Sequence, residues 1–258
     1  MTERLSRRDA LGGLAASGAA FAARCTRIAS PPPSTPTLKT EATTMTNFPQ
    51  ALAGNHTLIP LPFAAGALTG LSERLIASHH ENNYGGAVRN LNRAEQELSQ
   101  IKSDTPPFVV AALRERELTF RNSKALHESY FGNLGGDGRR SGAIEIALGQ
   151  AYGTTARWEE HMRTTAMGLG GGSGWAVLAF ELDTGELRTF ASMSHTQVLA
   201  LAVPLLVLDM YEHSYQMDFG AGVARYIDAF FANTKWDEVN RRLEAAQRAS
   251  AALRGDGP

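Results

Sequence analysis

Cysteine is nearly absent from this chain: of 258 residues only Cys25 carries a thiol. A disulfide framework needs pairs and the common structural zinc sites need several thiolates, so both are excluded. An excess of one charge is also missing, since 25 basic and 26 acidic residues leave a formal net charge of −1. No field on that scale gathers nucleic acid or an anionic membrane, and neither is expected as a partner. Long apolar runs are lacking too, so no segment reads as a membrane-spanning helix. The chain does have 43% hydrophobic and 20% charged residues, enough for a full core in one or two domains.

The first residues have the layout of a targeting segment rather than of a fold. Ser6-Arg7-Arg8 precede Leu11 and a weakly apolar Ala/Gly/Leu stretch, and Ala20-Phe21-Ala22 offers a small-x-small cleavage site. Residues 1–25 therefore read as a twin-arginine export signal, which places the mature protein in the periplasm or otherwise outside the cytoplasm. Residues 26–57 read as a linker, stiffened and extended by Ser30-Pro31-Pro32-Pro33-Ser34-Thr35-Pro36. The folded part is expected to begin near Leu58, with a helical hairpin domain over 58–137 and an α+β domain over 138–258.

Between Leu71 and Lys102 the residues Leu71, Leu75, Ile76, His79, Val88, Leu91, Leu98 and Ile101 recur at helical steps, with Ser72 as cap and Glu73 in the first turn. Pro106-Pro107 breaks the chain, and a second helix is expected from Phe108 to Phe131. The two form an antiparallel hairpin that ends in the Gly-rich run 132–138. Helices are expected again from Gly142 to Gly168. Strands follow at Trp175–Glu181 and Leu187–Ser192 around the turn Asp183-Thr184-Gly185, then at Val203–Asp209. One closing helix spans Tyr226 to Arg248. The fold class is α+β: a helical hairpin, then a three-stranded antiparallel sheet covered by helices.

With no cysteine after Cys25, a metal must be held by His, Asp or Glu. Asp209 and His213 sit four residues apart where a buried strand ends. His79 and His127 lie mid-helix in the two arms of the hairpin, where they can face each other. Together they make a shell of three imidazoles and one carboxylate with a coordination position left open. Mixed N/O donors without sulfur suit iron or manganese. Zinc accepts the same donors, which makes a zinc hydrolase the rival reading, but the chain has no HExxH helix.

At these residues the chain resembles the iron/manganese superoxide dismutase family, over about Leu58 to Ala246. The segments that carry the resemblance are LPFAAGAL (61–68), SHHENNYGGAVRNLN (78–92), LHESYFGNL (126–134), GGGSGWAVLAF (170–180), VPLLVLDMYEHSY (203–215) and Lys235-Trp236-Asp237. The resemblance implies one iron or manganese ion per chain, held by His79, His127, Asp209 and His213, that turns superoxide into dioxygen and hydrogen peroxide. It does not decide between the two metals. It also implies a homodimer through Glu212 and His213, since Glu212 resembles the residue that bridges to a partner's ligand histidine.

The departures from the family pattern are as specific as the matches. Ala87 stands where the family carries a gateway tyrosine, and Asn83 where it carries a histidine. Tyr84 is one residue beyond Asn83, and helical spacing puts it on a different face from His79. Gln216 replaces an aromatic and could hydrogen-bond Asn83. Ser123 is small where a donor to metal-bound solvent can stand, so that donor is expected from the sheet side: His195, aligned with a one-residue gap, or Gln197. His195 is the candidate catalytic residue, and His80 a structural neighbour. Loss of the usual residues at 83 and 87 leaves an alternative, a dismutase-like metal protein with impaired turnover.

Replacing Arg7 and Arg8 together by lysine should abolish export by the twin-arginine route. Fractionation of cells expressing the variant checks this, and unchanged levels in the envelope fraction refute the route.

Overall fold

The computed structural model describes residues 51–255, so the expected signal at 1–25 and the linker as far as residue 50 lie outside the described residues. The first helical arm starts as expected. Ser72 Oγ accepts from Leu75 N at 3.1 Å and caps α1, Glu73–Ser78. Ser72 is itself held by Asp218, which accepts from its amide and its hydroxyl, each at 2.7 Å. The arm is not one continuous α-helix, however. Residues His79–Tyr84 form a π-turn before α2 continues over Gly85–Ser99. The second arm, α3, runs Pro107–Gly132, with a proline in its first turn where a missing N–H costs nothing.

The strap before the hairpin is already fixed upstream of Leu58. Glu95 on α2 accepts from Gly54 N at 3.0 Å and from His56 Nε2 at 2.9 Å, and it pairs with Arg121 on α3. Asn92 accepts from His56 N and donates to His56 O. One buried carboxylate thus ties the strap and both arms together. Burial alone would raise its pKa, but the bonds from His56 and Gly54 and the Arg121 charge outweigh burial and hold it below the ordinary value.

Two helices, α4 at Ala143–Tyr152 and α5 at Thr155–Met167, lead into the sheet. Its strands are β1 Trp175–Glu181, β2 Leu187–Ser192 and β3 Ala202–Asp209, in the order β2-β1-β3 and antiparallel throughout. The central position of β1 explains its near-unbroken apolar sequence, because both of its faces are covered. Entry to β1 depends on Gly174. It has φ +146°, and a Cβ there would meet Ser192 O at 2.5 Å. Pro204 lies on the edge strand β3 beside the register shift at Leu178/Ala179, where a residue without N–H is tolerated.

A short α6, Gln216–Phe219, follows the sheet. The expected single closing helix is in fact two, α7 at Val223–Ala232 and α8 at Trp236–Arg254. The break exists because residues 233–235 pair with the hairpin chain instead of continuing the helix. Asn233 accepts from Thr69 N and donates to Thr69 O, Thr234 bridges to Leu134, and Lys235 N donates to Asn133 O. Asn133, fully buried at the end of α3, also serves β3: it donates to Leu205 O and accepts from Val207 N, each at 3.0 Å. One side-chain amide thereby fixes the helix that carries His127 against the strand that ends in Asp209. Helical and sheet parts share one apolar core. No helix among the described residues is long and apolar enough to cross a membrane.

Asn133→Leu leaves the buried Val207 N–H without its partner and Leu205 O with only a 3.4 Å bond from Arg242, and should cost about 1–3 kcal/mol. Chemical denaturation measures this; a change under half a kcal/mol contradicts the assigned role. Gly149→Ala, inside α4 with open space around its Cβ position, serves as a neutral-to-stabilising control. Glu95 gives a pH prediction. Its folded pKa lies below the ordinary 4.5, so its contribution is present above that value and is lost as pH falls through the depressed one. The stability gap between wild type and Glu95→Gln should be widest near neutral pH and should close in acid; a pH-independent gap contradicts this.

Candidate metal centre

Four elements deliver the side chains. The π-turn brings His79, the C-terminal part of α3 brings His127, the last residue of β3 is Asp209, and a 3₁₀ turn at Glu212–Ser214 brings His213. One donor atom of each lies within 4.8 Å of the others. Three of the four are buried, and the His213 side chain keeps 26% of its surface exposed. The imidazole rings of His79 and His213 lie 4.8 Å apart, those of His79 and His127 5.1 Å, and those of His127 and His213 5.8 Å.

Asp209 organises the cluster. Its Oδ1 accepts from Tyr211 N at 2.9 Å, which turns Oδ2 toward the three rings. From Oδ2 the Nε2 atoms of His79, His213 and His127 stand at 3.1, 3.2 and 3.6 Å. The Asp209 carbonyl accepts from Tyr226 and Ser214 hydroxyls at 2.7 and 2.8 Å. Across the sheet Asp209 pairs with Trp175, so the register of β1 sets its position. Burial alone would push its carboxyl up, but the His213 and His79 imidazoles reverse that and hold it far below the usual range.

His127 shows most directly that the residues present suit a metal ion. Its Nδ1 donates to Ser123 O, one helical turn earlier, at 2.7 Å. The other nitrogen, Nε2, therefore carries the lone pair in the neutral ring. That atom is buried, faces the cluster and has no hydrogen-bond partner. Burial, with His79 nearby, lowers the pKa of His127 to about 3, and burial lowers that of His79 as well. Neutral imidazoles beside an ionised carboxylate are the donor states that a divalent or trivalent ion requires.

His195, the sheet-side candidate, also reaches this region, with its ring 6.5 Å from that of His127. Trp175 Nε1 can only donate, and it does so to His195 Nδ1 at 3.0 Å. That bond leaves Nε2 as the protonated nitrogen, and burial keeps the ring neutral by lowering its pKa. Tyr211, which the sequence reading overlooked, is nearly parallel to His195 at 4.8 Å and to His213 at 5.5 Å. Its place inside the DMYEH run was the available signal. Gln197 turns instead to its own loop and accepts from Met193 N. Within the chain no hydrogen bond joins Asn83 to Gln216 among the described residues. His80 is buried and donates to Ile59 O at 2.8 Å.

Comparison with known proteins agrees with this geometry. The family described as iron/manganese superoxide dismutases, C-terminal domain, matches residues 140–242. The chain is 44% identical over 190 residues to "Superoxide dismutase [Fe]" of Cupriavidus metallidurans, covering 73% of this chain and 96% of that one. It is 32% identical over 196 residues to "Superoxide dismutase [Fe]" of Aquifex pyrophilus, covering 72% and 91%. It is 31% identical over 198 residues to "Superoxide dismutase [Mn] 2" of Haloferax volcanii, covering 74% and 97%. An α+β fold whose hairpin and sheet converge on three imidazoles and one carboxylate defines the class. The chain belongs to the iron/manganese superoxide dismutase family.

Proposed function

We propose that this chain is a superoxide dismutase, with one iron or manganese ion held by His79, His127, Asp209 and His213. The observation that carries this reading is the buried Asp209 Oδ2 facing three imidazole nitrogens, one of them, His127 Nε2, without any hydrogen bond. When bound, the ion supplies one-electron redox chemistry between its +2 and +3 states. Two superoxide ions and two protons give one dioxygen and one hydrogen peroxide, so the protein must admit an anion and deliver protons.

The residues divide that work. Asp209 brings the single negative charge that offsets the ion, and Tyr211 N fixes which oxygen faces inward. The Ser123 carbonyl fixes the tautomer of His127. His213 is the one ring of the three with appreciable exposure, which supports superoxide arriving from its side. His195 Nε2–H, set by Trp175, is the proposed catalytic donor toward that entering anion. Glu212, exposed beside His213, supports pairing with a second copy of the chain. Export through the twin-arginine route, supported by Arg7-Arg8 and the apolar stretch after them, would carry the protein across the membrane already folded and loaded.

Elemental analysis of the purified protein together with a superoxide assay tests the reading. About one iron or manganese per chain with rapid superoxide consumption is expected. Bound metal with negligible consumption supports the impaired alternative associated with Ala87 and Asn83, and zinc alone refutes both. His79→Ala and His127→Ala should lose the metal, while His80→Ala should keep it. His195→Ala should keep the metal and lower kcat by about 10–100-fold. A normal metal content in His127→Ala contradicts the ligand assignment.

A further inference from the structure

An α-helix at 3.6 residues per turn would place Tyr84 about 140° around from His79. The π-turn His79–Tyr84 changes this, because its hydrogen bonds span five residues and bring residues five apart back toward one face. His79 and Tyr84 consequently address the same two residues of α3. The His79 ring lies 5.1 Å from His127 and 4.9 Å from Phe131; the Tyr84 ring lies 6.1 Å and 6.2 Å from them. Tyr84 is 1% exposed, and its ring is tilted only 23° from that of His127.

The hydroxyl of Tyr84 is held from two directions. It donates to Glu128 Oε1 at 2.7 Å and accepts from Ile59 N at 3.0 Å. Glu128 follows His127 in α3 and pairs with Lys124 at 2.8 Å. The carbonyl of the same Ile59 accepts from His80 Nε2. Both peptide groups around Ile59 are thus bound by side chains of the π-turn. The strap, the π-turn and the α3 segment that carries His127 meet at one phenol.

We propose that Tyr84 is a positioning residue for the metal centre: anchored through its hydroxyl to Glu128 and Ile59, its ring fixes the orientation of His127. The π-turn therefore contributes twice, with His79 as ligand and with Tyr84 as the support of a second ligand. Ligand supports of this kind are worth about 10–100-fold in metal affinity. The proposal rests on the reading of the cluster as a metal site, and metal content of the wild type tests that reading separately.

The test uses iron-loaded protein, wild type and the variants Tyr84→Phe and Tyr84→Leu. Two quantities are read: the electron paramagnetic resonance spectrum of the ferric form and the rate of iron release to a chelator. Tyr84→Phe keeps the ring without its anchor and should release iron roughly 10-fold faster with a perturbed spectrum. Tyr84→Leu should approach 100-fold with a larger spectral change. Unchanged release and spectrum in Tyr84→Phe overturn the proposal whether or not the leucine variant folds. A lowered melting temperature with an unaltered spectrum also overturns it, since that marks Tyr84 as core packing alone.

Discussion

The structure turns on one carboxylate oxygen. Asp209 Oδ2 is buried at the end of β3 with imidazole nitrogens at 3.1, 3.2 and 3.6 Å. A buried charge in such a place is costly unless it is matched, and the groups that face it come from far apart in the chain. His79 arrives on the first arm, His127 on the second and His213 from the turn after the strand. The Asn133 amide, the Asn233 contacts with Thr69 and the Tyr226 hydroxyl all serve to hold those elements in register around that oxygen.

The surroundings of the cluster have a physical logic of their own. Ala87 and Asn83 carry no ring, and the aromatic side chains around the cluster come from other positions. Tyr84 reaches the His127 side through the π-turn, Tyr211 lies along His195 and His213, and His195 presents a proton whose position a tryptophan fixes. Tyr84 and His195 each have one polar end bonded and one ring packed, which orients them without filling the cluster itself.

The cluster of His79, His127, Asp209 and His213 was legible in the sequence because metal chemistry restricts residue types severely, and because Asp209 and His213 lie at the visible end of an apolar strand. The three strands were legible from alternation and from the Asp-Thr-Gly turn. The π-turn was not, since SHHENNYGG carries the same periodicity signal as any helix of that length, and only packing against α3 selects the wider turn. The break between α7 and α8 was hidden for a related reason. Asn233 and Thr234 look tolerable in a helix, and what removes them from it is pairing with Thr69 and Leu134, a hundred or more residues upstream. The clasp on His56 by Glu95 was equally invisible, because a lone glutamate on a helix reads as solvated until Gly54, His56 and Arg121 are brought to it.

Diffraction from crystals of the metal-loaded protein, collected at the iron and manganese absorption edges, addresses the central claim most directly. A single anomalous peak per chain is predicted, lying roughly 2.0–2.3 Å from one nitrogen of each of His79, His127 and His213 and from an oxygen of Asp209. A peak that lies outside this cluster, or a loaded crystal with no peak among these four side chains, would contradict the account.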